Sequence, residues 1–215
     1  MVRIKVCGMT RLEDALAAIH LGADAIGLVF YPKSPRYIAP ERAARLVAAL
    51  PPLVSVVGLF VNHPREEILH IVQQCHLSEV QLHGDESPAD CLLSNTMQPG
   101  TIRVIKAVRV ATPADLQPVA RYPVAGILLD AKTPHAYGGT GMTFDWSILS
   151  GLHGHPPLIL AGGLNPNNVA RAIRIVKPYG VDVSSGVESS PGIKDHDRMQ
   201  HFITCARQAG AEVCA

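Results

Sequence analysis

The chain has 215 residues, of which 47% are hydrophobic and 17% charged, and its formal net charge is +1 at pH 7. This length allows one well-filled core and is short for two. Because Lys and Arg are scattered and nearly balanced by acidic residues, neither nucleic acid nor an anionic membrane has an obvious docking surface. We expect any bound anion to be held locally, by a few side chains and backbone N–H groups.

The first residues predict a strand rather than a signal peptide. Residues 1–6 alternate like a strand and lack the apolar stretch of a signal peptide. No window approaches the run of roughly 18 apolar residues that crosses a bilayer. The sequence therefore predicts a cytoplasmic protein that does not enter the membrane.

The cysteines and histidines form no recognisable metal-binding pattern. The five cysteines at 7, 75, 91, 205 and 214 include no C-x-x-C pair, and the ten histidines include no H-E-x-x-H. The odd cysteine count and the missing signal peptide favour free thiols. The sequence predicts no metal site.

Eight short apolar runs recur along the chain. They cover residues 4–6, 25–30, 54–61, 79–82, 102–108, 124–129, 158–160 and 181–183. Near-continuous apolar runs are typical of parallel strands that are buried on both faces. Most are separated by segments with helical periodicity, such as the stripe Leu12, Ala15, Leu16 and Ile19.

Prolines and capping residues mark where the helices should begin. The expected first helical residues are Pro40, Pro64, Pro88, Pro113 and Pro166, since a missing N–H costs nothing there. Ser87, Thr112 and Asn165 precede three of them as N-caps. Thr10 and Glu13 fit a capping box, which predicts that the first helix begins at about Thr10.

The alternation of strands and helices predicts an α/β fold. Eight strands and about eight helices in 215 residues give a repeat of about 27, which fits a single-domain (β/α)8 TIM barrel with eight parallel strands over residues 1–215. The sixth helix, over 144–149, is short. The alternative is a doubly wound open sheet. That fold usually has fewer strands, and a dinucleotide-binding version has G-x-G-x-x-G after the first strand, where this chain has Cys7-Gly8-Met9-Thr10.

The predicted strand ends are far more polar than the strands. They carry Cys7, the loop 31–37 with Arg36, Asn62, His83, Lys106, Asp130, Gly162 and Gly163, and Ser184 to Gly186. Active sites of TIM barrels lie at this end, and the loops after strands 7 and 8 usually grip a phosphate. Glycines let backbone N–H groups approach an anion, and the helix after Asn165 should present its positive end nearby.

Each of these residues also has a structural explanation. A lone cysteine after a strand is commonly a small buried hydrophobe, and Asp130 could brace the loop that follows it. Lys106 could be a snorkelling surface residue, His83 a core histidine, and the glycines could serve only tight turns. The convergence of a thiol and a carboxyl from strands 1 and 6 on one barrel mouth favours a binding site.

The motifs at these strand ends resemble the phosphoribosylanthranilate isomerase family, in order from residue 3 to about residue 203. They are Lys5-Val6-Cys7-Gly8-Met9-Thr10, Ser34-Pro35-Arg36, Val80-Gln81-Leu82-His83-Gly84, Leu128-Leu129-Asp130, Gly138-Gly139-Thr140-Gly141, Ala161-Gly162-Gly163-Leu164 and Asp182-Val183-Ser184-Ser185-Gly186-Val187-Glu188.

The resemblance implies a reaction without a cofactor. It is the Amadori rearrangement of N-(5-phosphoribosyl)anthranilate in tryptophan biosynthesis. Cys7 is then the general base and Asp130, in its protonated form, the general acid. The nearby start of the first helix should favour the Cys7 thiolate.

The other strand-end residues complete the predicted site. Arg36 suits the substrate carboxylate because a guanidinium binds a carboxylate bidentately. The phosphate is expected at Gly141, Gly162, Gly163, Ser185 and Gly186. His83 and Lys106 should line the mouth without an assigned role.

The sequence is also compatible with three other functional hypotheses. One is the histidine-pathway sugar-phosphate isomerase, which pairs two aspartates where this chain has Cys7 and Asp130. Another is a Schiff-base aldolase with Lys106 as nucleophile. The third is a non-catalytic phosphate-binding barrel. The sequence allows a monomer or a homodimer, and it allows the loops 31–37 and 131–143 to close as lids.

Overall fold

Eight parallel strands close into a barrel in the order β1 to β8. They are β1 (Arg3–Cys7), β2 (Ala25–Val29), β3 (Ser55–Phe60), β4 (Glu79–Leu82), β5 (Arg103–Val110), β6 (Gly126–Ala131), β7 (Leu158–Leu160) and β8 (Gly180–Val183). This computed structural model describes residues 1–93, 102–131, 143–149, 152 and 155–214. The predicted (β/α)8 barrel is confirmed, and the open-sheet alternative is wrong.

The described residues contain five α-helices rather than about eight. They are α1 (Leu12–His20), α2 (Pro40–Ala48), α3 (Arg65–Cys75), α4 (Val169–Val176) and α5 (His196–Cys214). Two short 3₁₀ segments, Pro113–Leu116 and Val119–Arg121, stand between β5 and β6, and a third, Trp146–Leu149, precedes β7. Pro118 separates the first two because a proline inside a helix lacks the N–H and clashes with the preceding turn.

The proline signals located the helix starts with mixed success. Pro40 is the first residue of α2, as expected, whereas Pro64 is the residue before α3 and α4 begins three residues after Pro166. The segment at Pro88 is a turn. The capping box at Thr10 is wrong: α1 begins at Leu12, and the Thr10 hydroxyl instead donates a hydrogen bond of 2.5 Å to the Gly192 carbonyl.

The barrel interior and the layer between strands and helices are built from alternating strand residues. Val57, Ile105, Ala107, Leu128 and Ala161 form a separate buried cluster in the barrel interior. Their strand neighbours, such as Val56, Val104, Ile127 and Leu129, belong to the large cluster that packs against the helices. This period of two decides which strand residues can reach a site inside the barrel.

The barrel closes where the first strand meets the last. In this ladder Lys5 of β1 pairs with Asp182 of β8, and Arg3 with Gly180. A small antiparallel pair, β9 (Glu188–Ser190) and β10 (Ile193–Lys194), follows β8 and leads into α5. These two short strands bring Glu188 and Lys194 to the carboxyl end of β1.

Candidate active site

A cavity of about 410 Å³ opens at the carboxyl ends of the barrel strands. Most of the predicted site residues line it, namely Cys7, Arg36, His83, Asp130, Gly162, Gly163 and Ser185. Their side chains come from strands and loops far apart in the sequence, so the predicted convergence on one mouth is correct. Gly141, the remaining glycine predicted after strand 6, lies outside the described residues.

A second depression, of about 520 Å³, lies at the opposite end of the barrel. It is lined by residues at the strand starts, including Arg3, Ser55, Glu79 and Arg103. Neither Cys7 nor Asp130 reaches it. Although it is larger, catalytic groups of TIM barrels lie at the carboxyl ends of the strands. The cavity around Cys7 is therefore the candidate active site.

Cys7 ends β1 with its thiol inside the barrel. The residue is 4% exposed and pairs in register with Gly27 of β2. A Cβ at position 27 would lie 2.6 Å from the Cys7 sulfur, so the missing side chain of Gly27 makes room for the thiol. Burial raises the pKa of the Cys7 thiol, and the positive charge of Lys5 opposes that rise. Burial therefore opposes the thiolate form that the start of α1 is expected to favour.

A buried ion pair lies beside the thiol. The Lys5 Nζ donates a hydrogen bond of 2.9 Å to Asp182 Oδ1, and both side chains are less than a tenth exposed. Burial works against the Lys5 charge, but the attraction of Asp182 and Cys7 outweighs it and raises the pKa of Lys5. The ammonium therefore stays charged under the thiol.

Asp130 is the next-to-last residue of β6 and accepts two hydrogen bonds. Its Oδ2 lies 3.2 Å from His83 Nε2, and its Oδ1 accepts the Ala131 N–H at 2.8 Å. The Gln81 amide nitrogen lies 2.8 Å from His83 Nδ1, which leaves Nε2 as the protonated nitrogen that donates to Asp130. His83 thus orients the carboxyl group, and Gln81 fixes the imidazole tautomer.

Arg36 reaches the cavity, but one edge of its guanidinium already binds Glu188. Its Nε and Nη2 donate to the two carboxylate oxygens of Glu188 at 2.8 and 2.7 Å. The Lys194 Nζ also donates to Glu188 Oε1 at 2.8 Å and to the Cys7 carbonyl at 2.6 Å. A substrate carboxylate would have to bind another edge of this guanidinium.

The prediction that Lys106 lines the mouth is wrong. Its side chain leaves the outer face of β5, and its Nζ donates 2.8 Å hydrogen bonds to the Gly84 carbonyl and to Glu86 Oε2. Its neighbours Ile105 and Ala107 face the barrel interior, so alternation turns Lys106 outward. This position argues against Lys106 as a Schiff-base nucleophile.

The glycines after β7 adopt left-handed backbone conformations. Gly162 has φ +78° and Gly163 has φ +63°, which favour glycine, and a Cβ on Gly162 would meet the Ala131 nitrogen at 2.5 Å. Gly186 does not line the cavity and instead packs against the Leu164 carbonyl. The buried Ser184 hydroxyl lines the cavity and has no hydrogen-bond partner in the described structure.

Sequence reasoning assigned no role to five residues around this site, Lys5, Gln81, Asp182, Glu188 and Lys194. Each makes a buried polar contact with a residue of the predicted site or with another of the five. The alternation of the strands held a usable signal, since Lys5 shares the parity of Cys7, and Gln81 that of His83.

The part of the chain that the structure describes has neither a metal-binding cluster nor a membrane-spanning helix. No group of three or more His, Cys, Asp or Glu side chains there is arranged to hold a metal ion. No described helix is both long and apolar enough to cross a bilayer.

The fold and the cavity define a (β/α)8-barrel protein with a thiol and a carboxyl group at its carboxyl-end mouth. A sequence profile described as N-(5'phosphoribosyl)anthranilate (PRA) isomerase matches residues 4–205. The chain belongs to this family.

Individual relatives agree with the profile. An N-(5'-phosphoribosyl)anthranilate isomerase from Magnetococcus marinus is 53% identical over 208 residues, which cover 97% of this chain and 96% of that protein. The isomerase from Geobacter sulfurreducens is 52% identical and covers 96% and 99%.

Solved structures give the same result. The crystal structure of phosphoribosyl anthranilate isomerase from Thermotoga maritima superposes with a TM-score of 0.88 at 50% identity, covering 97% of this chain and all of that one. A second crystal structure, at 47% identity and TM-score 0.86, covers 97% and 100%. It holds a phosphoribosyl anthranilate isomerase in complex with reduced 1-(o-carboxyphenylamino)-1-deoxyribulose 5-phosphate.

Proposed function

We propose that this protein, acting as one domain over residues 1–215, catalyses the Amadori rearrangement of N-(5-phosphoribosyl)anthranilate to 1-(2-carboxyphenylamino)-1-deoxyribulose 5-phosphate. The observation that carries the proposal is the meeting of Cys7 and Asp130 in one cavity of a chain from this family. The product analogue bound by a relative at 47% identity supports a phosphosugar ligand. The proposal needs no cofactor, no metal and no nucleic-acid partner.

Two proton transfers account for the chemistry. Asp130 in its protonated form gives its proton to the furanose ring oxygen as the C–O bond breaks. The hydrogen bonds from His83 and from the Ala131 N–H then stabilise the carboxylate that is left. Ring opening leaves an iminium carbon, which acidifies the neighbouring C2′–H. The Cys7 thiolate removes that proton, and the enolamine tautomerises to the ketone.

The remaining contacts hold the substrate. We assign the phosphate to Gly162, Gly163 and Ser185, which line the cavity. Gly141, predicted for the same site, lies outside the described residues. Gly186 serves this loop through its packing against Leu164 rather than as a lining residue. Arg36 binds the anthranilate carboxylate through an edge that Glu188 does not occupy.

The test is the loss of the anthranilate-type fluorescence of freshly made substrate, with indoleglycerol-phosphate synthase present to remove product. We expect rapid enzyme-dependent loss, and we expect Cys7→Ser and Asp130→Asn each to abolish most of kcat. Cys75→Ser is the matched control, because Cys75 is a buried free thiol outside the cavity. Fluorescence loss no faster than the spontaneous background, with folded protein, would reject the proposal.

Location and assembly complete the proposal. We place the protein in the cytoplasm, where its small phosphosugar substrate would be made. One relative structure consists of monomers generated from a dimeric isomerase of Thermotoga maritima, so both states occur on this fold. Light scattering during size-exclusion chromatography distinguishes a monomer from a homodimer, and cell fractionation tests the location.

A further inference from the structure

The ion pair between Lys5 and Asp182 is buried directly beside the proposed base. Lys5 and Cys7 are two residues apart on β1 and face the barrel interior together, and Lys5 pairs in register with Asp182 across the barrel closure. The Lys5 ammonium donates a hydrogen bond to Asp182, and its charge lowers the pKa of the Cys7 thiol. A positive charge is thus buried two residues before Cys7, on the same face of β1.

Stability alone does not explain why a charged pair occupies this position. Removing two charges from water costs several kcal/mol per ion, and well-packed apolar residues often replace such pairs without loss. Lys5 does not line the mouth cavity, so it does not reach a substrate there. Its effect on the reaction must therefore pass through Cys7 or Asp182.

A buried thiol needs help to act as a base. Burial favours the neutral thiol, and three charged groups act on it: Lys5 from β1, Lys194 from β10 and Asp182 from β8. Lys194 is committed to Glu188 and to the Cys7 and Ser184 carbonyls. Lys5 shares the inward face of β1 with Cys7, and its charge lowers the pKa of the thiol more than that of Lys194 does.

We infer that Lys5, held in place by Asp182, is a positioning residue that stabilises the thiolate form of Cys7. The inference rests on the proposed role of Cys7 as base. When the substrate C2′–H bond breaks, its proton forms the S–H bond and its electron pair stays on the substrate, while Lys5 remains an ammonium throughout.

Alkylation of Cys7 by iodoacetamide tests this inference without turnover. The Cys7 peptide is followed by mass spectrometry from pH 6 to pH 10 in the wild type, in Lys5→Met and in the double variant Lys5→Met/Asp182→Leu. We expect both variants to alkylate Cys7 about tenfold or more slowly at pH 7, because an adjacent opposite charge typically shifts a titration by about one to three units. The double variant leaves no unpaired buried carboxylate. If the single variant does not fold, Cys7 alkylation in the double variant is the test.

Lys106→Met is the matched control, since it removes another buried lysine whose ion pair lies outside the cavity. It should leave the Cys7 alkylation profile unchanged. In both Lys5 variants kcat should fall at pH 7 and recover towards pH 9, with little change in KM, whereas a purely structural loss would not recover. An unchanged Cys7 alkylation profile in the folded double variant would overturn the inference. If Cys7 alkylation slows in the Lys5 variants as expected but the wild type shows no turnover, the proposed function alone would be rejected.

Discussion

Replacing Gly27 by alanine should displace the proposed base without touching any charged group. A Cβ at position 27 would lie 2.6 Å from the Cys7 sulfur and 3.1 Å from both its Cα and its Cβ. Ordinary non-bonded carbon contacts lie at about 3.5–4.0 Å, so the sulfur must move by about 1 Å. Rotation of the side chain cannot relieve the contact with the Cys7 backbone.

A displacement of this size can lower a rate by about 10²-fold, and we expect that loss in kcat for Gly27→Ala. Overpacking should also lower the free energy of unfolding by about 1–3 kcal/mol. The measurements are kcat and KM from the fluorescence assay and urea unfolding followed by circular dichroism. Gly126→Ala is the matched control, because a Cβ there meets nothing closer than the Pro157 carbonyl at 3.4 Å. A Gly27→Ala enzyme with kcat within about threefold of the wild type would refute the reasoning.

Three further predictions concern the surroundings of the site. Glu188→Gln should lower the free energy of unfolding at pH 7 by about 3–5 kcal/mol, because it leaves the buried Lys194 without its partner. Burial opposes the charge of Glu188, but Arg36 and Lys194 hold its pKa below the ordinary 4.5, so urea unfolding should show the difference from the wild type narrowing at pH values below 4.5. The control Glu212→Gln, which removes an exposed ion pair with Arg174, should change the free energy of unfolding little. Burial raises the pKa of Cys91 from 9.0 to about 11, so the wild type should lose stability as pH rises between these values, and Cys91→Ala should lose less in the same titration. Gly162→Ala should raise KM and lower kcat, because φ +78° and the Ala131 nitrogen both oppose a side chain; unchanged kinetic constants would argue against a role for this turn.

The strand pattern was readable because parallel strands buried on both faces leave a strong apolar signal. The predicted run 79–82 has the same bounds as β4, and 158–160 the same as β7. The helices were harder to predict from the sequence. After β5, for example, Pro118 divides the chain into two short 3₁₀ segments instead of one α-helix. The Thr10 capping box failed because a tertiary contact with Gly192 competes for the hydroxyl.

The site was only partly readable for a related reason. Cys7, His83 and Asp130 lie at or just past the carboxyl ends of their strands, so the rule for barrel mouths locates them. The partners that set their chemistry lie far away in sequence, as with Lys5 and Asp182, which are 177 residues apart. Lys106 lies outside the mouth because alternation along β5 turns it away from the barrel interior, which Ile105 and Ala107 face.

Closure of the barrel by β1 and β8 has a consequence for synthesis of the protein. The first strand is made early. Its partner Asp182, and Lys194, which hydrogen-bonds the Cys7 carbonyl, are translated near the end of the chain. Contacts of such high sequence separation form late, and the entropy of closing the long loop must be met first. We expect the nascent thiol of Cys7 to be open to oxidants and alkylating agents until about the last twenty residues emerge, and stalled ribosome complexes of increasing length, probed with maleimide, would measure when that exposure ends.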